Sequence, residues 1–105
     1  MLWYNRLYVG KNAKKHRFSI IQNIRQKKYL PGIYVITPAS NGNNILDIHP
    51  VVTFLSPLYK EEELLIVGIA DGYWDAMELA GTIVSEMYEK TGRFRLEEFL
   101  ELKQQ

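Results

Sequence analysis

The chain of 105 residues contains no cysteine, which excludes disulfide bonds, thiolate metal ligands and a cysteine nucleophile. The N-terminal sequence lacks the basic start and apolar run of a signal peptide. The longest run without a polar side chain, residues 64–70, is far shorter than the roughly 20 residues that a membrane-spanning helix needs. These absences predict a cytoplasmic protein with no membrane as a partner.

Acidic residues are missing from the first part of the chain. Residues 1–46 carry eight Lys and Arg side chains and no carboxylate, whereas residues 47–105 carry five bases and twelve carboxylates. The segments therefore have net charges of +8 and −7, although the whole chain has a formal charge of only +1. This separation predicts an anionic partner for the first segment, or association between surfaces of opposite sign.

Length and composition indicate a single globular domain over residues 1–105. The predicted strands cover residues 2–10, 32–38, 45–55 and 64–70, with an Asn-rich turn over 39–44 and a loop over 56–63. Pro50 interrupts the third segment, so we expect an edge strand, a bend or a short helix that begins there.

Three helices are predicted, over residues 12–28, 72–90 and 95–102. The second has the clearest amphipathic pattern, with an apolar face formed by Tyr73, Ala76, Met77, Leu79, Ala80, Ile83, Val84 and Met87. Asp71 is expected to cap its start and Gly92 to end it. The order (β)αβββα(α) predicts an α+β fold, with a mainly antiparallel sheet of three to four strands and helices packed on one face.

The junction between the last strand and the second helix is one candidate binding site. A helix N-terminus can hold an anion, but this turn has no P-loop or dinucleotide glycine pattern, and Asp71 and Asp75 would repel a phosphate. A capped helix start is the simpler interpretation. A site for a neutral or cationic ligand stays open, formed by Asp71, Gly72, Tyr73, Trp74 and His49.

The basic first half is a second candidate site, for nucleic acid or another anion. Lysines and arginines neutralise phosphates and an aromatic ring can stack on bases. The candidate residues are Lys11, Lys14, Lys15, Phe18, Arg25, Lys27 and Lys28. A solvated helix face, or pairing with the acidic face of the 72–90 helix, are the alternatives.

The sequence offers no catalytic constellation, metal site or cofactor site. Asp47 and His49 share a strand face, yet no serine is placed beside them as a nucleophile. The two histidines and scattered acids have no metal-ligand spacing. We therefore assign no catalytic residue, no metal ligand and no cofactor.

Two stretches, GIYVITPASNGNNILDIHP and VGIADGYWDAMELAGTIVSEMYEKTGRF, carry a family resemblance. They are similar to a group of small bacterial proteins of unassigned function, which share the Ile-Thr strand end, the Asn-rich turn and the Gly-Tyr entry into an amphipathic helix. The resemblance implies no activity and no residue role.

The sequence thus favours a non-catalytic domain that acts by association, with itself as a homodimer or with another protein. Trp74 supports this hypothesis, because it lies at the border of the apolar face and large amphipathic rings are enriched at protein contacts. Nucleic-acid or anion binding by the basic half is the first alternative. An enzyme with a pocket near Asp71, Tyr73 and His49 is the second.

Overall fold

The computed structural model describes residues 1–40, 44–56 and 64–104. Its strands are β1 (Leu2–Val9), β2 (Ile33–Pro38), β3 (Leu46–Pro50) and β4 (Leu65–Asp71). Its α-helices are α1 (Arg17–Arg25), α2 (Tyr73–Thr91) and α3 (Leu96–Gln104), and short 3-10 helices cover Lys14–His16 and Val51–Leu55. The predicted turn over 39–44 and loop over 56–63 lie largely outside the described residues.

The four strands form one sheet in the order β1-β4-β2-β3. Strand β2 is antiparallel to both β3 and β4, whereas β1 runs parallel to β4. The α+β class and the mainly antiparallel sheet are therefore confirmed. Strand β3 is an edge strand that ends at Pro50, and a 3-10 helix follows at Val51, so the proline both ends the pairing and begins a helix.

The two faces of the sheet bury separate cores, because successive side chains of a strand point in opposite directions. On one side, here called the α2 face, Ile36 and Val67 pack against α2 and α3. On the other, the α1 face, Val35, Ile66 and Ile69 lie under α1 and the second 3-10 helix.

The expectation that the helices pack on one face is therefore wrong for α1. The two helices after β4 do share a face, but Ile20 and Ile24 of α1 are buried in the core of the other one. Ile66 and Ile69 of the central strand are completely buried on that side. A sheet that is apolar on both faces needs a cover on each, which α1 supplies.

The start of α2 is held by Asp75 rather than by Asp71. Gly72 is the residue before the helix and makes no side-chain cap. Instead Asp75, in the first turn, accepts hydrogen bonds from the backbone N–H of Asp71 (3.0 Å) and of Asn12 (3.3 Å). This buried carboxylate ties the connection after β1 to α2. We call the contact of Asp75 with Gly10 and Asn12 the Asp75 clasp.

The C-terminal end of α2 follows the prediction. Gly92 adopts the left-handed conformation with φ 68°, and its N–H bonds to the carbonyl oxygen of Tyr88. A positive φ is available to glycine at little cost. In the described part of the chain, no helix combines the length and the apolar character required to cross a membrane.

Candidate functional site

Helix α2 carries a second apolar surface that the sheet does not cover. Trp74 is 78% exposed, Tyr88 55% and Met77 43%. Together with Gly81 and the partly buried Val84, these residues recur at alternating spacings of three and four along two heptads, the pattern that lines one side of a helix. We call this surface the α2 stripe: Trp74, Met77, Gly81, Val84 and Tyr88.

The sequence pattern predicts that part of the α2 stripe belongs to the apolar face that packs on the sheet. The sequence pattern placed Tyr73, Met77 and Val84 in one broad apolar face with Ile83, yet Tyr73 is 48% exposed whereas Ile83 is fully buried. A helix contacts a sheet through only a stripe of its surface. An apolar face broader than that contact leaves apolar side chains at its margin in solvent.

Aromatic rings frame both ends of the α2 stripe. At the N-terminal end, the Tyr73 ring makes edge contacts with Trp74 (centroids 5.5 Å apart) and with Tyr34 of β2 (5.9 Å). At the C-terminal end, Tyr88 stacks on Phe94, with centroids 5.1 Å apart. Such contacts fix ring orientation, so the exposed rings form defined surfaces.

An open groove lies at the C-terminal end of the stripe. It has a volume of about 320 Å³ and is lined by Val84, Ser85, Tyr88, Glu89 and Phe94. We call it the Tyr88 groove. A projecting ring, Trp74, and an aromatic-lined groove therefore occupy opposite ends of one helix face, with Gly81 midway between them.

Of the residues predicted to form a ligand site, Asp71, Gly72, Tyr73 and Trp74 lie together at the start of α2. His49 does not join them. It pairs with Val35 across β2 and β3, and its ring lies 5.9 Å from the Phe54 ring on the α1 face. Tyr73 contacts Tyr34, whose side chain points to the α2 face. The sheet thus separates His49 from the α2 junction.

His49 and Asp47 each have a hydrogen-bond partner of their own. The Nε2 atom of His49 lies 3.2 Å from the hydroxyl oxygen of Thr37, which is completely buried. Asp47 accepts hydrogen bonds from the backbone N–H (3.1 Å) and the hydroxyl (3.2 Å) of Ser40. The described hydrogen bonds therefore do not link Asp47 to His49 as a carboxylate would orient a general base.

The predicted basic residues lie on and beside α1, away from α2. Phe18 is 74% exposed, and the guanidinium of Arg17 lies 4.9 Å from its ring centroid. Arg25 lies over the Trp3 ring at 5.5 Å. Lys11, Lys14, Lys15, Lys27 and Lys28 are also exposed.

Arg6 and Arg17 also belong to this basic region, although the sequence pattern does not predict them as binding residues. An open groove of about 360 Å³, here called the β1 groove, is lined by residues 6–9 of β1, by Lys14 and Arg17, and by Lys103 of α3. The alternation of side chains along β1 does not predict this groove, because the pairing of β1 with β4 shifts its register between Trp3 and Tyr8.

A partly buried polar cluster closes one side of the β1 groove. The Nζ atom of Lys103 lies 3.1 Å from Oε1 of Glu86 and 4.3 Å from the Tyr8 ring centroid, and the Tyr8 hydroxyl donates to the same carboxylate oxygen at 3.1 Å. Burial raises the pKa of Tyr8 above 10.0, although the hydrogen bond with Lys103 opposes it. Burial lowers the pKa of Lys103, but hydrogen bonds with Tyr8 and Glu86 outweigh this and raise it above 10.5.

A more spacious groove than the Tyr88 groove and the β1 groove lies elsewhere. It has a volume of about 590 Å³ and lies between the end of β2 and the start of α3, lined among others by Pro38, Ile45, Phe94 and Arg95. Two carboxylates, Glu97 and Glu98, occupy the first turn of α3 there, and Glu98 pairs with Arg93 at 2.6 Å. Over residues 1–40, 44–56 and 64–104, no three His, Asp or Glu side chains are grouped as metal ligands.

Comparisons with models of known protein families, with curated proteins and with solved structures found no match to this chain. Its function is therefore inferred from its own residues.

Proposed function

We propose that this protein is a non-catalytic domain that acts by self-association, and that two copies pair antiparallel through their α2 stripes. The observation that carries the proposal is the relation between Trp74 and the Tyr88 groove. Trp74 and Tyr88 are equally spaced in sequence on either side of Gly81. A two-fold axis at Gly81 therefore sets the Trp74 ring of each copy against the Tyr88 groove of the other.

Glycine at the centre of the stripe supports this arrangement. Gly81 is exposed in the middle of a helix, where glycine costs about 0.5–1 kcal/mol relative to alanine. A Cβ built at Gly81 would touch nothing within 4 Å in the monomer, so the monomer itself does not need glycine there. The close approach of a second helix at this point would explain why the residue here is glycine.

The exposed apolar area is sufficient for a small interface. Tyr73, Trp74, Tyr88 and Phe94 are each exposed by 48% or more, and one aromatic side chain has about 150–250 Å² to bury. With Met77 they offer roughly 500 Å² per copy, or about 1,000 Å² for the pair, which is the lower limit of specific interfaces. We therefore expect a dissociation constant in the micromolar range.

Charge at the borders of the stripe does not oppose self-pairing. Across an axis at Gly81, Glu78 of one copy would lie beside Val84 and Ser85 of the other, and no carboxylate would face another in the stripe. This matters because like charges directly opposed are destabilising. A second copy is therefore an acceptable occupant of the stripe despite the acidic character of α2.

Substitutions at Gly81 test the proposal by sedimentation equilibrium over a concentration series. Gly81→Gln places a long helix-forming side chain on the axis, and we expect it to weaken dimerisation at least tenfold while the monomer stays folded. Trp74→Ala should weaken it by roughly 30-fold, as for an aromatic anchor that fills a groove of the partner. Thr82→Gln, one residue further and on the polar side of α2, is the matched control and should dimerise like the unaltered chain.

The opposite result is equally clear. If the unaltered chain sediments as a monomer at every concentration up to about 1 mM, a limit far above a micromolar dissociation constant, pairing through the stripe is excluded. If it dimerises but Gly81→Gln dimerises equally well, the dimer uses another surface.

A further inference from the structure

We infer that the β1 groove binds single-stranded nucleic acid, with its phosphates against Arg6, Lys14 and Arg17 and a base stacked on Phe18. This inference concerns a different surface from the α2 stripe and does not rest on the proposed dimer.

The first observation is that three cations converge on one groove from different elements. Arg6 comes from β1, Lys14 from the first 3-10 helix and Arg17 from the first turn of α1, and all three line the same open groove. Their convergence depends on the slip in pairing between β1 and β4. Leu2 and Trp3 pair with Leu65 and Ile66, whereas Tyr8 and Val9 pair with Gly68 and Ile69.

This slip leaves residues 4–7 of β1 opposite a single residue of β4. Extra residues in a strand form a bulge, and bulges redirect side chains at sheet edges. Asn5 and Arg6 are consecutive and both exposed, which a regular strand covered on both faces would not allow. The bulge therefore presents Arg6 at the free edge of β1.

The second observation is that no described carboxylate forms an ion pair with these cations. Among the residues that the structure describes, Arg6, Lys14 and Arg17 form no salt bridge. Lys103, at the far wall of the same groove, is paired with Glu86. The groove thus contains three exposed positive charges and one neutralised one, which favours a ligand with several negative charges.

The third observation concerns the rings beside the groove. Phe18 follows Arg17 and is 74% exposed, with the Arg17 guanidinium 4.9 Å from its centroid. Arg25 lies two helical turns beyond Phe18 on the same side of α1 and covers Trp3 of β1 at 5.5 Å. Cations and rings therefore alternate along the line between α1 and β1.

This alternation favours single-stranded nucleic acid over an acidic protein or a simple polyanion. Proteins that bind single strands combine a positive groove that follows the backbone with aromatic rings that stack on unpaired bases. A duplex keeps its bases stacked, so an exposed Phe18 would be of no use to it. An acidic peptide would have no base to stack.

The test measures the fluorescence anisotropy of a labelled oligouridylate or oligothymidylate strand during titration with the full chain. Three or four phosphate contacts predict that the affinity falls roughly 20- to 50-fold between 50 and 200 mM salt, because counterions are released on binding. Arg6→Gln, Lys14→Gln and Arg17→Gln should each weaken binding and each reduce the salt slope by about 0.7, the value for one phosphate contact with a single strand.

Phe18→Ala separates nucleic acid from other polyanions. It should weaken binding of the strand about tenfold, as for loss of one stacked base, without a change in the salt slope. Binding of heparin, which has charges but no bases, should be unaffected by the same substitution. Lys28→Gln is the matched control, because Lys28 is an exposed cation of the same half that does not line the groove.

Three results would overturn the inference. The first is the absence of binding at 50 mM salt, where non-specific electrostatic binding is strong. The second is an equal loss for Lys28→Gln and Arg17→Gln, which would mean that the charge is not localised in the groove. The third is strand binding that Phe18→Ala leaves unchanged, which would reduce the site to one for any polyanion.

Discussion

Both faces of the sheet bury an apolar core, but the helices that cover the two faces carry charges of opposite sign. Each has an apolar core, with Phe99 fully buried on the α2 face and Val35 on the α1 face. Outside, α1 and the preceding 3-10 helix carry four Lys and Arg side chains and no carboxylate, whereas α2 and α3 carry seven carboxylates and two lysines. In these helices the charge separation along the sequence is therefore also a separation between the two faces of the sheet.

The difference teaches that the buried side chains and the proposed binding surfaces lie on different sides of each helix. The inward side of α1 needs only Ile20 and Ile24, which leaves its outward side basic. The inward side of α2 needs Ala76, Leu79, Ile83 and Met87, yet its exposed surface also carries the apolar α2 stripe beside the carboxylates. Apolar side chains beyond those that the core requires point to association.

The largest expected effect comes from breaking the Asp75 clasp, where the two faces are joined. A Cβ at Gly10 would overlap the carboxylate of Asp75, which could move only by losing its hydrogen bonds to Asn12 and Asp71. Gly10→Ala should therefore lower the free energy of unfolding by about 1–3 kcal/mol. Urea denaturation measures it.

The control for this prediction is the same substitution on the free side of α2. Gly81→Ala should raise the free energy of unfolding of the monomer by about 0.5–1 kcal/mol, because its Cβ meets nothing. Equal effects of the two substitutions would show that Gly10 is not required by the clasp.

A smaller effect on stability is expected from Tyr8 and from Lys103, which is paired with Glu86. The pKa of Tyr8 and that of Lys103 are both raised in the folded protein, Tyr8 by burial and Lys103 by its hydrogen bonds with Tyr8 and Glu86 despite burial. The unfolded chain therefore loses these protons first as the pH rises. The stability that these two groups contribute is fully present below pH 10. It should decrease as the pH rises through their pKa values in the folded protein, which lie above 10.0 for Tyr8 and above 10.5 for Lys103.

Tyr8→Phe isolates this contribution. Phenylalanine keeps the ring but not the ionisable hydroxyl, so the variant should lose less stability than the unaltered chain between neutral pH and strongly alkaline pH. The comparison uses chemical denaturation at both pH values. An identical alkaline loss in the two proteins would mean that Tyr4, whose pKa burial also raises, or other groups cause it.

Local sequence signals were sufficient for β2 and α2, whereas the helix predicted over 12–28 is an α-helix only over Arg17–Arg25 and the strand predicted over 45–55 ends at Pro50. Gly32 and Pro38 bounded β2, and the left-handed Gly92 ended α2 where expected. These features depend on backbone preferences of the residues themselves. The parallel pairing of β1 with β4 joins residues 60 to 63 positions apart, and no local pattern contains that information.

The candidate sites were predictable in part for the same reason. Phe18 stands out in the sequence as a ring among basic side chains and Trp74 as a ring at the border of the apolar face, and both are exposed. Arg6 could not be identified, because its position depends on a slip in long-range pairing. The burial of Asp75 could not be predicted either, since its partner Asn12 lies 63 residues away.

A single introduced thiol tests the central claim most directly, because the chain has no cysteine of its own. In an antiparallel pair centred on Gly81, the two copies of this residue approach to the Cα separation of a disulfide, about 4.4–6.8 Å. Gly81→Cys should therefore give a covalent dimer under mild oxidation, and Gln22→Cys, exposed on α1 at the opposite face, should not. Gly81→Cys that remains monomeric, or that cross-links no faster than Gln22→Cys, would contradict pairing through the α2 stripe.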